Sequence, residues 1–126
     1  MLKDKTSSAI IAVSDADRAR SFYRDTLGLD LVDEGMVEVM TFRTGNTQLI
    51  VYKSQFAGTN EANAVVWDGG DEVDAIVADL KAKGVTFEHY PDMEGMRLEG
   101  DVHVSGDMKA VWFKDPDGNI LHINGR

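Results

Sequence analysis

Residues 113–123 read FKDPDGNILHI: a polar turn between two apolar runs, with a histidine in the middle of the second run. The turn has a direct physical account. Asp115 can accept hydrogen bonds from backbone amides ahead of it, and Pro116 presets φ for a turn. Asp117-Gly118 supplies the left-handed residue that closes it. The stretch is therefore a hairpin, and its acids are structural. His122 carries the functional question. It is a metal ligand, a group that touches a small molecule, or a partly buried histidine satisfied by a backbone carbonyl or by Tyr52.

Side chains alternate along a strand, so Ile120, His122 and Asn124 share one face and Leu121 and Ile123 the other. The aliphatic face suits packing beneath a helix. The polar pair on the opposite face must find partners, and the expectation is that it turns away from the helices.

Working outward, Lys109 to Phe113 and Asn119 to Asn124 are the arms of the hairpin, and the preceding 45 or so residues build towards it. Asn63 to Trp67 (NAVVW) reads as a strand. Asp71 caps a helix with apolar positions Val73, Ile76, Val77 and Leu80, Gly84 stops it, and Val85 to Glu88 is a further strand. The same order occurs earlier. Ser8 to Val13 is a β-branched strand, and Ser14-Asp15 offers an N-cap. Ala16, Ala19, Phe22, Tyr23 and Leu27 follow at helical spacing, and Gly28 ends that helix. Leu29 to Val32, Val37 to Arg43 and Gln48 to Lys53 read as strands separated by Asp33-Glu34-Gly35 and Gly45-Asn46. The two helix-ending glycines lie about 56 residues apart, as a duplicated unit would place them.

The chain thus reads as one α+β domain, residues 1–126, made of two βαβββ modules at 8–53 and 63–124, with Ser54 to Ala62 as linker. Each module covers one sheet face with its helix and leaves the other bare. Two modules side by side can form an open, curved mixed sheet with a concave cleft and helices on the convex face. Tyr90 to Asp107 departs from the repeat. It is a long loop with Pro91, Gly95, Gly100 and Gly106, or it hides a short strand around Met96 to Val104.

Bulk properties narrow the function. The 126 residues carry a formal charge of −9, with 13 basic residues among 22 acids, which leaves no basic surface for nucleic acid or an anionic membrane. There is no cysteine, hence no disulfide framework or thiolate chemistry. No apolar run approaches membrane-spanning length and MLKDKTSSA has no signal-like apolar core, so the expected location is cytoplasmic.

Three segments resemble the vicinal oxygen chelate superfamily, which includes glyoxalase I, bleomycin-resistance proteins and extradiol dioxygenases. VSDADRARSFYRDTLGLDL is similar to its opening strand-to-helix segment, VDAIVADLKAKGVTF to the same segment in the second module, and WFKDPDGNILHI to the final hairpin. The resemblance covers nearly the whole chain and implies paired βαβββ modules and a homodimer. In metal-using relatives, four positions on the concave strands hold a divalent ion, usually through histidine and glutamate. The matching residues here are close to Ser8, Ile50 (or Gln48, on the same face), Asn63 (or Ala64) and His122. Only His122 is a good ligand. One imidazole does not hold a catalytic divalent ion, so no metal site is assigned unless His89 or His103 moves in, and both are expected to face solvent.

The same parity gives a candidate ligand-binding set: Ser8, Ile10, Gln48, Ile50, Tyr52, Asn63, Val65, Trp67, Trp112, His122 and Asn124. It is apolar and aromatic with a few hydrogen-bonding groups, as small-molecule sites tend to be. The first functional reading is a metal-free binder of a small aromatic or planar molecule. The second is an enzyme of lyase or dioxygenase type, with a non-standard metal site or with His122 as acid or base. The third is a non-catalytic regulatory or partner-binding protein. Fold alone does not choose among them.

Overall fold

A computed structural model describes residues 1–35 and 38–126; the expected start of the third strand at Val37 lies outside the described residues. The chain forms two compact units, Met1–Asn60 and Glu61–Arg126.

The first unit runs β1 (Ala9–Val13), α1 (Ala16–Arg20), β2 (Asp30–Asp33), β3 (Val39–Thr44) and β4 (Thr47–Lys53), in sheet order β1-β4-β3-β2. Asp15 caps α1, its carboxylate accepting from the Arg18 amide at 3.0 Å. The helix does not continue as regular α-helix to the expected stop. Ser21–Thr26 widens into a π-helical turn, and the Leu27 amide bonds the Phe22 carbonyl five residues back. The widening seats Tyr23, fully buried, against Phe22 at 5.1 Å and Phe42 at 5.9 Å. Ile11, Val13, Met40, Phe42, Leu49 and Val51 complete this core.

The second unit runs β5 (Asn63–Gly70), α2 (Val73–Ala82), β6 (Arg97–Glu99), β7 (Val102–Ser105), β8 (Met108–Lys114) and β9 (Ile120–Gly125), in sheet order β5-β9-β8-β7-β6. In both sheets the first strand lies parallel to the last, and the others are antiparallel. That shared order carries the duplicated βαβββ plan, with an extra edge strand in the second copy.

Of the two readings of segment 90–107, the structure takes the hidden strand around Met96 to Val104, built as two: most of the second half is the β6–β7 hairpin, turned at Gly100 with φ +63°. Two expectations change. Val85 to Glu88 is not a full strand. It makes one bridge, Phe87 to Phe113, and one further bond from the Glu88 amide to the Trp112 carbonyl at 2.8 Å. β7 pairs with β8 from Met108 to Ala110. The second helix starts at Val73 after Glu72, which makes no side-chain cap bond, and not directly after a capping Asp71.

The quoted turn is built as read. The buried Asp115 accepts from the Asp117 and Asn119 amides, each at 2.9 Å, and from the Asn119 side chain at 2.8 Å. Backbone bonds between Asp115 and Asn119 and from Gly118 to Asp115 close it.

Candidate functional site

Each helix covers one face of its own sheet. In the first unit the covered face holds Phe42 under Tyr23. In the second it holds Ile123, close enough to Val73 of α2 that a Cβ on Gly69 would touch both. The candidate residues must therefore sit on the opposite faces.

On the first unit's uncovered face, register aligns Ile10 with Ile50 and Thr41, and Ala12 with Tyr52 and Val39. Ile10 is 62% exposed there, an apolar side chain left bare by its own unit. Gln48 faces Arg43 across the β3–β4 pair. Ser8, just before β1, and Gln48 line an open polar pocket of about 400 Å³ that also takes in Thr6, Arg43, Asn46 and Thr47. Arg43 is tied to Asp30 at 2.9 Å. Its place in the pocket follows from alternation, since it pairs with Gln48 and lies two residues from Thr41 on the same face.

On the face of the second sheet opposite α2, Trp112, His122 and Asn124 come together, with His122 itself buried. Trp112 pairs with His122 across β8–β9, and their rings stack at 4.4 Å and 17°. Nδ1 of His122 lies 2.9 Å from the Val111 carbonyl, and Nε2 lies 3.2 Å from the Asn124 side-chain nitrogen. A carbonyl only accepts, so the proton belongs on Nδ1. Nε2 then accepts from the Asn124 amide, and the ring is neutral with both nitrogens engaged. Leu121 and Ile123 are buried on the helix-covered face.

The expected grouping of Asn63, Val65 and Trp67 beside His122 is corrected by register. β5 is bulged between Asn63 and Val65, so Val65 pairs with Leu121 and Trp67 with Ile123, on the helix-covered face. Asn63 pairs with Ile120, and Val66, 58% exposed, is the neighbour of His122. One extra residue in a strand inverts every later side chain, and simple alternation does not foresee it.

The other histidines divide. His89 is half exposed and binds Asp101 at 2.7 Å. His103, expected to face solvent, is instead buried in β7, 1% exposed. Its Nε2 accepts from the Tyr90 backbone amide at 2.9 Å. Its ring meets Trp112 edge-on at 5.0 Å, and Tyr90 meets Trp112 at 5.5 Å. Nδ1 makes no hydrogen bond of good geometry, although the Ala110 carbonyl is near enough to favour charge on the ring slightly. Burial outweighs that attraction and holds the His103 pKa below its ordinary value, so this ring too is neutral at pH 7. Tyr90 and His103 belong to the aromatic wall around Trp112. The signal for them was the alternation in Val102-His103-Val104, hidden inside a segment rich in glycine.

A divalent ion does not fit these residues. His122 could turn one nitrogen at most, Nε2, to an ion, Asn63 is a neutral amide and Ile50 has no donor. Among the described residues no three histidines or carboxylates converge as metal ligands would.

The sequence matches, over residues 5–123, the family model described as Glyoxalase/Bleomycin resistance protein/Dioxygenase superfamily. Comparison with curated proteins finds no match. Among solved structures, a glyoxalase family protein from Enterococcus faecalis is 18% identical with a TM-score of 0.72, covering 98% of this chain and 99% of that one. Lactoylglutathione lyase from Agrobacterium tumefaciens is 20% identical with a TM-score of 0.70, covering 97% and 93%. Fosfomycin resistance protein FosX from Listeria monocytogenes, complexed with Mn(II) and sulfate, is 15% identical with a TM-score of 0.70, covering 97% and 90%. At these identities the structural likeness is one of fold.

Proposed function

The chain belongs to the glyoxalase/bleomycin resistance protein/dioxygenase superfamily, and from that premise we propose that it binds a small planar or aromatic molecule on the uncovered sheet face around Trp112 and His122, without a metal. The observation that carries this reading is the state of His122. Stacked on Trp112, with Nδ1 tied to the Val111 carbonyl and only Nε2 able to exchange its Asn124 partner, it is part of an aromatic surface and offers an ion a single nitrogen. Tyr90 and Val66 extend that surface with apolar area, and Asn124 adds a polar edge. Such a mixture suits a flat ligand, which gains from stacking and is oriented by one or two hydrogen bonds.

The rival reading is a metal-dependent enzyme, favoured by the FosX relative complexed with Mn(II). The donor set here speaks against it for the reasons given above. Two measurements separate the readings. Trp112 fluorescence and thermal stability should respond to neutral aromatic fragments, and replacement of Trp112 by alanine should abolish the binding. Elemental analysis should find no stoichiometric manganese, zinc, nickel or iron. About one ion per chain, lost in His122→Ala, would replace the binding reading with the enzymatic one.

A further inference from the structure

Resting on that ligand reading, we infer that the His122 site selects planar ligands that bring a neutral N–H or O–H donor in the ring plane, and disfavours ligands that present only acceptors. The reason is the tautomer. Val111 offers a carbonyl to Nδ1, at 2.9 Å, inside the paired β8–β9 ladder. That bond is internal to the hairpin and does not depend on any ligand. It leaves Nε2 as a lone pair, because a neutral imidazole carries one N–H. The present occupant of the lone pair is the Asn124 amide at 3.2 Å, a long bond from a half-buried side chain. The Trp112 stack fixes the imidazole plane. A ligand ring lying in that plane directs an in-plane donor at Nε2 and lays its own face along the indole. A carboxylate or ketone oxygen in the same place meets the lone pair and is repelled.

The test uses the full chain and two probes of nearly equal size, indole and 1-methylindole, titrated by protein NMR. Indole should bind roughly tenfold more tightly, the worth of one good hydrogen bond. His122→Phe keeps an aromatic ring on Trp112 and removes the lone pair, and should bind both probes alike. Asn124→Ala removes the competitor for Nε2 and should tighten indole binding without changing that of 1-methylindole. Equal affinities in the unaltered protein would overturn this inference and leave the aromatic-ligand reading standing. Failure of both probes to bind would remove the ligand reading, and this one with it. Nitrogen-15 imidazole spectra provide an arm independent of ligand: a proton on Nε2 of His122 in place of Nδ1 would overturn the inference by itself.

Discussion

Two histidines on one sheet face are held by different means. His122 is held by complementary partners, a carbonyl at one nitrogen and an amide at the other. His103 is held by burial, with the Tyr90 amide as the partner of its Nε2. The second arrangement has a cost in acid. The unfolded chain takes up a proton as pH falls through the ordinary value of 6.5, while folded His103 takes one up only at lower pH. Its contribution to stability is therefore complete well above 6.5 and lost progressively below it, with a slope of at most about 1.4 kcal/mol per pH unit. The urea midpoint should fall between pH 7.5 and 5.5, and His103→Gln, which keeps an acceptor for the Tyr90 amide, should flatten that fall. An unchanged slope in the variant would assign the pH dependence elsewhere.

At the scale of elements, the β6–β7 hairpin is fastened to α2 by one carboxylate. Asp101 binds Lys81 at 2.8 Å and His89 at 2.7 Å, and its side chain is only 18% exposed. Lys81 first, and His89 second, hold its pKa below the ordinary 3.8. The tether's stabilisation is present above that value and disappears as pH falls through the lowered one. Asp101→Asn should lower stability at pH 7 and make the hairpin amides exchange hydrogen faster, with an effect on stability that shrinks progressively as pH falls below 3.8. A loss that stays constant as the solution is acidified would rule out the ionic tether. A second element-level constraint lies where β5 and β9 end. A Cβ on Gly125 would collide with the Gly70 carbonyl oxygen and press on Val73. Gly125→Ala should cost on the order of 2–3 kcal/mol in urea unfolding, as overpacking against backbone does. No such loss is expected at Gly95, where a Cβ meets nothing, beyond the strain of its positive φ.

At the scale of the whole molecule, each sheet ends in edge strands paired on one side within it: β1 and β2 in one, β5 and β6 in the other. Ile10 on β1 and Val66 on β5 add exposed apolar side chains to two of those edges. Open edges and bare apolar groups are commonly covered by a second copy, and a homodimer is the expected state. Light scattering at micromolar concentration should give twice the chain mass, about 27.8 kDa from 13.9 kDa per chain. A monomer mass there would leave those edges open and refute the expectation. The described helices include none long and apolar enough to cross a membrane.

Local chemistry determined a good deal from the sequence alone. Asp115, Pro116 and Gly118 specify their turn whatever surrounds them, Asp15 caps its helix, and Gly28 and Gly84 end theirs in the left-handed conformation. Repeated in order, such signals disclosed two βαβββ modules, and alternation in β9 separated His122 from Leu121 and Ile123. Tertiary structure decided what alternation cannot carry across a discontinuity. The bulge in β5 moved Val65 and Trp67 to the helix-covered face and put Val66 beside His122. Along the edge of β8, segment 85–88 makes a single bridge at Phe113, while β7 pairs from Met108 to Ala110 and carries the buried His103. A bulge shifts register by one residue, and the pairing of a strand edge is set by the segments that reach it, so both outcomes depend on neighbours distant in sequence. The tautomer of His122 belongs to the same class, because the Val111 carbonyl that sets it reaches the ring only when β8 and β9 are paired.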